Sequence, residues 1–163
     1  MASAAKTETV RRFGPAPGTW SIIGLGKLGG REMTAGSDLD LIVIYDADGA
    51  SDAQNWFTKF TQRLITALSA ETGEGRLYET DMRLRPSGRS GPVATPLASF
   101  ASYHESNAWT WELMALTRLR PIIGDAALGQ RVQSLAGRLV HSDNYPARTA
   151  HILAMRPGPS REQ

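Results

Sequence analysis

The stretch "GGREMTAGSDLDLIVIYD", residues Gly29–Asp46, decides the fold of this chain. Its second half, residues 39–45, is an apolar run rich in β-branched side chains, which is typical of a buried strand. Two acids, Asp38 and Asp40, stand at the start of this run. Because residues i and i+2 of a strand point to the same face, their carboxylates lie side by side. Adjacent carboxylates repel each other, so this arrangement needs a physical reason.

A divalent cation is one such reason. Mg²⁺ takes a few carboxylates and completes its shell with phosphate oxygens and water, and two such ions can hold the attacking and leaving oxygens of a nucleotidyl transfer. The alternative is a strand end where both aspartates are solvated, and the aspartate pair alone favours that alternative. The preceding segment favours the metal site, because its glycines let backbone N–H groups approach an anion and Lys27 lies in the same turn. These glycines are Gly24, Gly26, Gly29, Gly30 and Gly36.

A second acidic position lies in residues 76–85, "RLYETDMRLR", which alternate like a third strand. In that interpretation Asp81, Arg83 and Arg85 share one face. An acid followed by two arginines fits a third metal ligand beside a phosphate clamp. The alternative is the ordinary solvent-facing side of a strand.

Composition limits the classes of protein that the chain can represent. It has 163 residues, enough for one domain with a core, and a formal net charge of +2, too balanced to indicate nucleic-acid binding. It has no cysteine, no apolar run long enough to span a membrane and no apolar signal segment at the start. We therefore expect a cytoplasmic protein with neither nucleic acid nor membrane as a partner.

The order of predicted elements indicates an α+β domain with a C-terminal helical extension. We expect a disordered leader over residues 1–18, a catalytic domain over 19–141 and an irregular or truncated tail over 142–163. The predicted strands are 20–25, 39–45 and 76–85, and the predicted helices are 51–71, ~96–105, ~108–119 and ~126–140, the last with Asp125 as its N-cap.

The predicted helix at ~108–119 begins with "AWTWE". Trp109 and Leu113 are four residues apart, so we expect both to face the core, and we favour this packing over stacking of Trp109 on adenine. Arg118 and Arg120 either reach the site or lie at a solvated helix end.

Together these motifs carry a family resemblance. The layout from Gly26-Lys27 to Ser37-Asp38-Leu39-Asp40 resembles the DNA polymerase β-type nucleotidyltransferase superfamily. Three segments in order, "GLGKLGGREMTAGSDLDLIVIYD", "LYETDMRLRPSGRSGPVAT" and "AWTWELMALTRLRPIIGD", resemble the glutamine synthetase adenylyltransferases. The resemblance implies a mixed sheet flanked by helices. It also implies transfer of AMP from ATP to a tyrosine of glutamine synthetase, with release of pyrophosphate.

The resemblance also assigns residues. Asp38 and Asp40 would be paired ligands of two Mg²⁺ ions, and Asp81 the third catalytic acid, a metal ligand that could also take the proton of the tyrosine. The residues that would contact the nucleotide phosphates are Gly26, Lys27, Gly29, Gly30, Ser37, Arg83 and Arg85, although the two arginines would equally serve by pairing with acids.

Members of this family carry two nucleotidyltransferase domains, one attaching AMP and one removing it by phosphorolysis. "AWTWE" resembles the attaching domain. The regulatory helices that sense PII-type signalling proteins in the full-length family enzyme are absent here, which suggests an isolated catalytic domain or a gene fragment. Two alternatives stay open: the adenylyl-removing domain, and a truncated fragment that binds nucleotide without turnover. A small antibiotic- or toxin-modifying nucleotidyltransferase explains the later motifs less well.

Overall fold

The structure is a computed structural model that describes residues 1–72, 75–76 and 78–141, with only the backbone described at 71–72 and 75–76. Helices and strands follow one another in a mixed order along this part of the chain. In order they are α1 (Ala2–Phe13), β1 (Thr19–Gly24), α2 (Gly26–Gly30), β2 (Leu39–Asp46), α3 (Ala53–Leu68), β3 (Glu71–Thr72), β4 (Gly75–Arg76), β5 (Thr80–Asp81), β6 (Ala94–Pro96), α4 (Leu97–Ser106), α5 (Thr110–Ala115), β7 (Arg120–Gly124) and α6 (Ala126–Val140).

One mixed sheet forms the centre of the molecule. Its order is β5-β2-β1-β7, and β6 also pairs with β2. The strand β1 lies antiparallel to β2 and to β7, whereas β5 and β6 run parallel to β2. The predicted α+β class with a mixed sheet flanked by helices is therefore confirmed.

Strand β2 is buried on both faces, which explains its continuous apolar sequence. Leu41, Val43 and Tyr45 belong to a core cluster that includes α3, while Ile42 and Ile44 belong to a second cluster that includes α4 and α6. Each face therefore contributes side chains worth roughly 1.5–3 kcal/mol apiece when fully buried. Strand β2 is thus packed between helices on both faces, and Asp40 lies near its start.

Helix α3 covers one face of the sheet. Its buried side chains recur at helical spacing, and the ring of Phe57 stacks on that of Tyr45 with centroids 4.3 Å apart. On the other face, α6 begins at an N-cap: the side chain of Asp125 accepts a hydrogen bond of 2.7 Å from the backbone N–H of Leu128. The helix predicted at ~126–140 and its Asp125 cap are confirmed.

The expectation of a disordered leader is wrong for residues 2–13, which form α1. This helix packs on α3 with Ala5 and Thr9 buried, and the indole N–H of Trp56 donates a 3.0 Å hydrogen bond to the carbonyl of Gly14. Its inward face is made of small side chains, so the sequence lacks the apolar stripe that signals a packed helix. The predicted tail, 142–163, lies outside the described residues.

The predicted strand over 76–85 is also wrong in extent. Only Thr80–Asp81 pairs with β2, and Leu77 lies outside the described residues. Local bonds replace the ladder: the carboxylate of Asp81 accepts from the backbone N–H of Arg83 at 2.8 Å, and the Arg85 guanidinium donates to the Met82 carbonyl at 2.8 Å. Such side-chain bonds to nearby backbone compete with strand pairing.

A further difference lies near the helix predicted at ~108–119. It ends at Ala115, passes through a 3₁₀ turn at Leu116–Arg118 and leads into β7, a strand that the sequence did not predict. The predicted helices at 51–71 and ~96–105 are present with shifted ends, as α3 and α4. Among the described residues, none of the helices is long and apolar enough to cross a bilayer.

Candidate active site

Two neighbouring strands bring the predicted acids to one edge of the sheet. In the parallel pairing of β2 with β5, Asp40 lies directly opposite Asp81, and Asp38 precedes the first residue of β2. The backbone N–H of Leu39 donates a 2.7 Å hydrogen bond to the carbonyl of Glu79, which fixes this register. The structure therefore places the three acids that the sequence singled out in one neighbourhood.

Electrostatic strain concentrates on Asp40, which is half-buried. Burial raises the pKa of its carboxyl, and the negative charges of Asp81 and Asp38 raise it further, while Arg83 and Lys27 act in the opposite direction. The repulsion expected from the sequence is thus present and only partly compensated. A positive charge placed among these carboxylates would relieve it.

Asp81 is stabilised differently, because Arg83 holds it. The Arg83 Nε donates to one carboxylate oxygen at 2.7 Å, its Nη2 lies 2.5 Å from the same oxygen, and its backbone N–H donates to the other at 2.8 Å. The side-chain hydrogen bond from Arg83 is the largest influence holding the pKa of Asp81 below its ordinary value. The Arg83 side chain is mostly exposed, so a ligand could reach it.

The short helix α2 places backbone against the Asp40 carboxylate. Gly26 has φ 48°, and a Cβ built there would lie 2.3 Å from Oδ2 of Asp40, so only glycine fits without movement. The backbone N–H of Leu25 also donates a 2.9 Å hydrogen bond to the carbonyl of Asp40. Lys27, next in the turn, is exposed and close enough to lower the pKa of Asp40.

The other glycines of this turn differ in their surroundings. At Gly29 a Cβ would lie 1.9 Å from the carbonyl oxygen of Arg118, so this glycine permits close packing of two backbone segments. At Gly30 a Cβ would meet only ordinary contacts, the nearest being the side chain of Glu32 at 3.4 Å. Steric contacts therefore require glycine at positions 26 and 29, but not at position 30.

Ser37 and Arg85, both predicted to contact phosphates, are engaged in local structure. The buried hydroxyl of Ser37 accepts a 3.0 Å hydrogen bond from the backbone N–H of Thr34. The hydroxyls of Ser37 and Thr34 also share a hydrogen bond. The guanidinium of Arg85 donates to the carbonyls of Met82, Arg89 and Gly91 at 2.8, 3.1 and 3.2 Å. Burial lowers the pKa of this arginine. In this arrangement Arg85 organises the loop that follows β5.

The donor chemistry of the edge suits Mg²⁺, which binds hard carboxylate oxygens. The raised pKa of Asp40 marks the charge that such an ion would neutralise. Within the described part of the chain, however, no group of three or more His, Asp or Glu side chains is close enough to hold a metal ion. The Asp81 carboxylate instead binds Arg83. To bind one metal ion together with Asp38 and Asp40, Asp81 would have to break its contacts with the Arg83 side chain.

Helix α5 differs from its prediction. Leu113 is buried as expected, but Trp109 is 55% exposed, so the expectation that both face the core is wrong for Trp109. The inward residue is Glu112, whose carboxylate accepts from the backbone N–H of Trp109 at 2.7 Å and from the Tyr103 hydroxyl at 2.9 Å. Burial raises the pKa of Tyr103, with this hydrogen bond adding to the effect. The glutamate three residues into the helix was the available signal for this contact.

Arg120, for which the sequence left open a place at the site or at a solvated helix end, lies beside α2 in the structure. It begins β7, and its guanidinium donates to the carbonyls of Gly29 and Leu28 at 2.9 and 2.7 Å. Arg118 instead forms an exposed ion pair of 2.7 Å with Glu32. Because β7 was not predicted, the sequence did not indicate that both arginines lie beside α2.

Comparisons with known proteins all identify adenylyltransferases. A family model described as Glutamate-ammonia ligase adenylyltransferase matches residues 3–135. Three curated relatives carry the name bifunctional glutamine synthetase adenylyltransferase/adenylyl-removing enzyme. That of Xanthobacter autotrophicus is 49% identical over 168 residues, covering 93% of this chain and 17% of the relative. That of Agrobacterium fabrum is 46% identical over 165 residues, covering 94% and 17%. That of Rhizobium meliloti is 52% identical over 132 residues, covering 76% and 13%. The chain thus spans only a small part of the length of these relatives.

Proposed function

The chain belongs to the glutamate-ammonia ligase adenylyltransferase family, and from this premise we propose that it transfers AMP from ATP to a tyrosine of glutamine synthetase. The observation that carries the proposal is the register of Asp40 opposite Asp81, with Asp38 one residue before β2 and the backbone of Gly26 against the same carboxylate. Such a cluster of acids beside a glycine turn suits a metal-bound triphosphate.

In this proposal the tyrosine oxygen attacks the α-phosphorus of ATP. The bond between the α-phosphorus and the oxygen bridging to the β-phosphate breaks, pyrophosphate leaves, and the phenolic proton passes to a base or to water. Asp38, Asp40 and Asp81 would hold Mg²⁺, which neutralises their charge and stabilises the charge that develops on the phosphoryl oxygens. Gly26 and Lys27 would lie along the triphosphate.

The surroundings of Asp81 and the two arginines suggest how their roles divide. Because Arg83 lowers the pKa of Asp81, this carboxylate suits a permanently charged ligand better than a proton acceptor. The Arg83 side chain is exposed, so in this proposal it would leave Asp81 and bind the departing pyrophosphate. Arg85 already donates to three backbone carbonyls, so we assign it to the loop and not to the phosphates.

A second candidate is the reverse direction, in which inorganic phosphate attacks AMP-tyrosine and yields ADP. The observation in its favour is that the relatives are named for both an adenylyltransferase and an adenylyl-removing activity. The same acids would serve both reactions. We favour attachment because "AWTWE", residues 108–112, resembles the attaching domain.

The test uses the purified chain with two forms of glutamine synthetase. With ATP labelled at the α-phosphate, Mg²⁺ and the unmodified synthetase, we expect label on the synthetase. Release of ADP from adenylylated synthetase, only when inorganic phosphate is added, would instead identify the removing activity. ATP binding with neither reaction would contradict both and identify a nucleotide-binding chain without turnover.

A further inference from the structure

The helix α2 is attached at its end by Arg120. The last carbonyls of a helix have no partner within it, and in α2 the carbonyls of Leu28 and Gly29 receive the guanidinium of Arg120 at 2.7 and 2.9 Å. A planar guanidinium can serve two acceptors at once, which a lysine ammonium does less well. One side chain from β7 therefore fixes the orientation of a helix of only five residues.

Close backbone packing reinforces this attachment. A Cβ at Gly29 would lie 1.9 Å from the carbonyl oxygen of Arg118 and 2.8 Å from that of Gly24. The C-terminal end of α2 is thus set directly against the segment entering β7 and the end of β1. Loss of the Arg120 bonds would leave two carbonyls without these partners in a tightly packed place, which favours displacement of the helix.

The opposite end of α2 meets the candidate active site. Gly26 lies so close to Asp40 that a Cβ would come within 2.3 Å of Oδ2, and the N–H of Leu25 bonds to the carbonyl of Asp40 at 2.9 Å. Since α2 is little more than one turn long, movement at Gly29 is transmitted to Gly26 and Lys27.

We infer that Arg120 is a positioning residue: by holding the Leu28 and Gly29 carbonyls it sets the distance between the Gly26–Lys27 backbone and the Asp40 carboxylate, and so the space that the ATP triphosphate occupies. This inference rests on the proposed function. It assigns Arg120 no contact with ATP.

The test compares Arg120→Met with Arg131→Met. Both replace an arginine by an unbranched apolar side chain, but the contact of Arg131 among the described residues is a partly exposed ion pair with Asp46 at the C-terminal end of β2. Hydrogen exchange measured by mass spectrometry reports on residues 25–32, and titration with Mg²⁺ and ATP gives the dissociation constant without requiring turnover. Transfer kinetics then separate KM for ATP from kcat.

For Arg120→Met we expect faster exchange confined to residues 25–32, and a rise of about tenfold or more in both the dissociation constant and KM for ATP, because small misplacements of binding groups are costly. Arg131→Met should match the wild type in all of these. Arg120→Lys should fall between them, and it replaces Arg120→Met in every comparison if the methionine variant does not fold.

Equal exchange in the two methionine variants would overturn the inference. Faster exchange with unchanged ATP affinity and KM would overturn it as well, because Arg120 would then stabilise the fold without positioning the site. If the wild-type chain neither binds ATP nor transfers AMP, the proposed function fails. If the wild type binds ATP and transfers AMP, and Arg120→Met does both equally well, only the inference about Arg120 fails.

Discussion

The two ends of β2 carry the same residue type in contrasting surroundings. At the C-terminal end, Asp46 receives a 2.6 Å ion pair from Arg131 on α6, and both side chains are partly exposed. At the N-terminal end, burial raises the pKa of the half-buried Asp40, and repulsion from Asp81 and Asp38 raises it further. An acid with its own arginine on the surface is explained by solubility and weak pairing. Acids that repel one another at a partly buried strand end are instead suited to a ligand that would neutralise them.

The largest expected effect is a difference in AMP transfer between substitutions at the two ends of β2. Asp40→Asn keeps the shape of the side chain but removes its charge, and should lower AMP transfer by at least about a thousandfold, equivalent to roughly 4 kcal/mol of transition-state stabilisation. Asp46→Asn should leave transfer unchanged. Transfer of labelled AMP to glutamine synthetase, with folding checked by circular dichroism, is the measurement. Comparable activity of the two variants would remove the basis for assigning the site to this end.

The next effect concerns the glycine that approaches Asp40. Gly26 and Gly36 both have positive φ, but a Cβ at Gly26 would collide with Asp40, whereas at Gly36 it would meet nothing within 4 Å. Gly36→Ala should cost about 1–2 kcal/mol from backbone strain alone, and Gly26→Ala about 2–4 kcal/mol because a collision is added. Urea denaturation measures both. Equal losses would mean that the Asp40 carboxylate moves aside without cost.

A smaller effect is a difference in pH dependence. The native pKa of Asp40 lies above its ordinary value of 3.8, so between these values the native state binds more protons than the unfolded state. Its contribution to stability therefore falls as pH rises through that window. The stability of Asp40→Asn relative to wild type should rise from acidic to neutral pH. Denaturation at several pH values checks this, and a difference that declines with pH would contradict the raised pKa.

The pKa of Asp81 is shifted in the opposite direction from that of Asp40, so its effect on the pH dependence of stability is also opposite. Its pKa is lowered from the same ordinary value, so it favours the native state above that value, and this contribution is lost as pH falls through the native pKa. The two opposing contributions make the difference between wild type and Asp40→Asn more informative than the pH profile of the wild type alone.

The smallest effect belongs to the surface pair. Because the Arg131 side chain is 59% exposed, Arg131→Met should change the free energy of unfolding by no more than about 0.5 kcal/mol. Thermal and urea denaturation both measure it. A loss of several kcal/mol would show that the C-terminal end of β2 depends on its acid after all, and the contrast between the two ends would disappear.

The sequence predicted what local patterns determine. Two strands, the long amphipathic helices and the cap at Asp125 follow from periodicity, β-branched residues and capping chemistry, and the structure confirms them. It also brings the predicted acids Asp38, Asp40 and Asp81 together at one sheet edge.

What the sequence did not predict depends on contacts that leave no periodic pattern in the sequence. The helix α1 packs through Ala5 and Thr9, which leave no apolar stripe to recognise. Residues 82–85 alternate like a strand, yet side-chain bonds to neighbouring backbone turn them away from the sheet. The bond from Arg120 to Gly29 joins residues far apart in the chain, and no local pattern encodes it.

The most direct test of the central claim measures metal–nucleotide binding without requiring turnover. Mn²⁺, a paramagnetic substitute for Mg²⁺, is titrated with ATP into the wild-type chain, Asp40→Asn and Asp46→Asn, and bound Mn²⁺ is followed by electron paramagnetic resonance. We predict ATP-dependent binding in the wild type and Asp46→Asn, with an affinity lower by about tenfold or more in Asp40→Asn. Equal affinity in all three proteins would contradict the assignment of the metal–nucleotide site to the N-terminal end of β2.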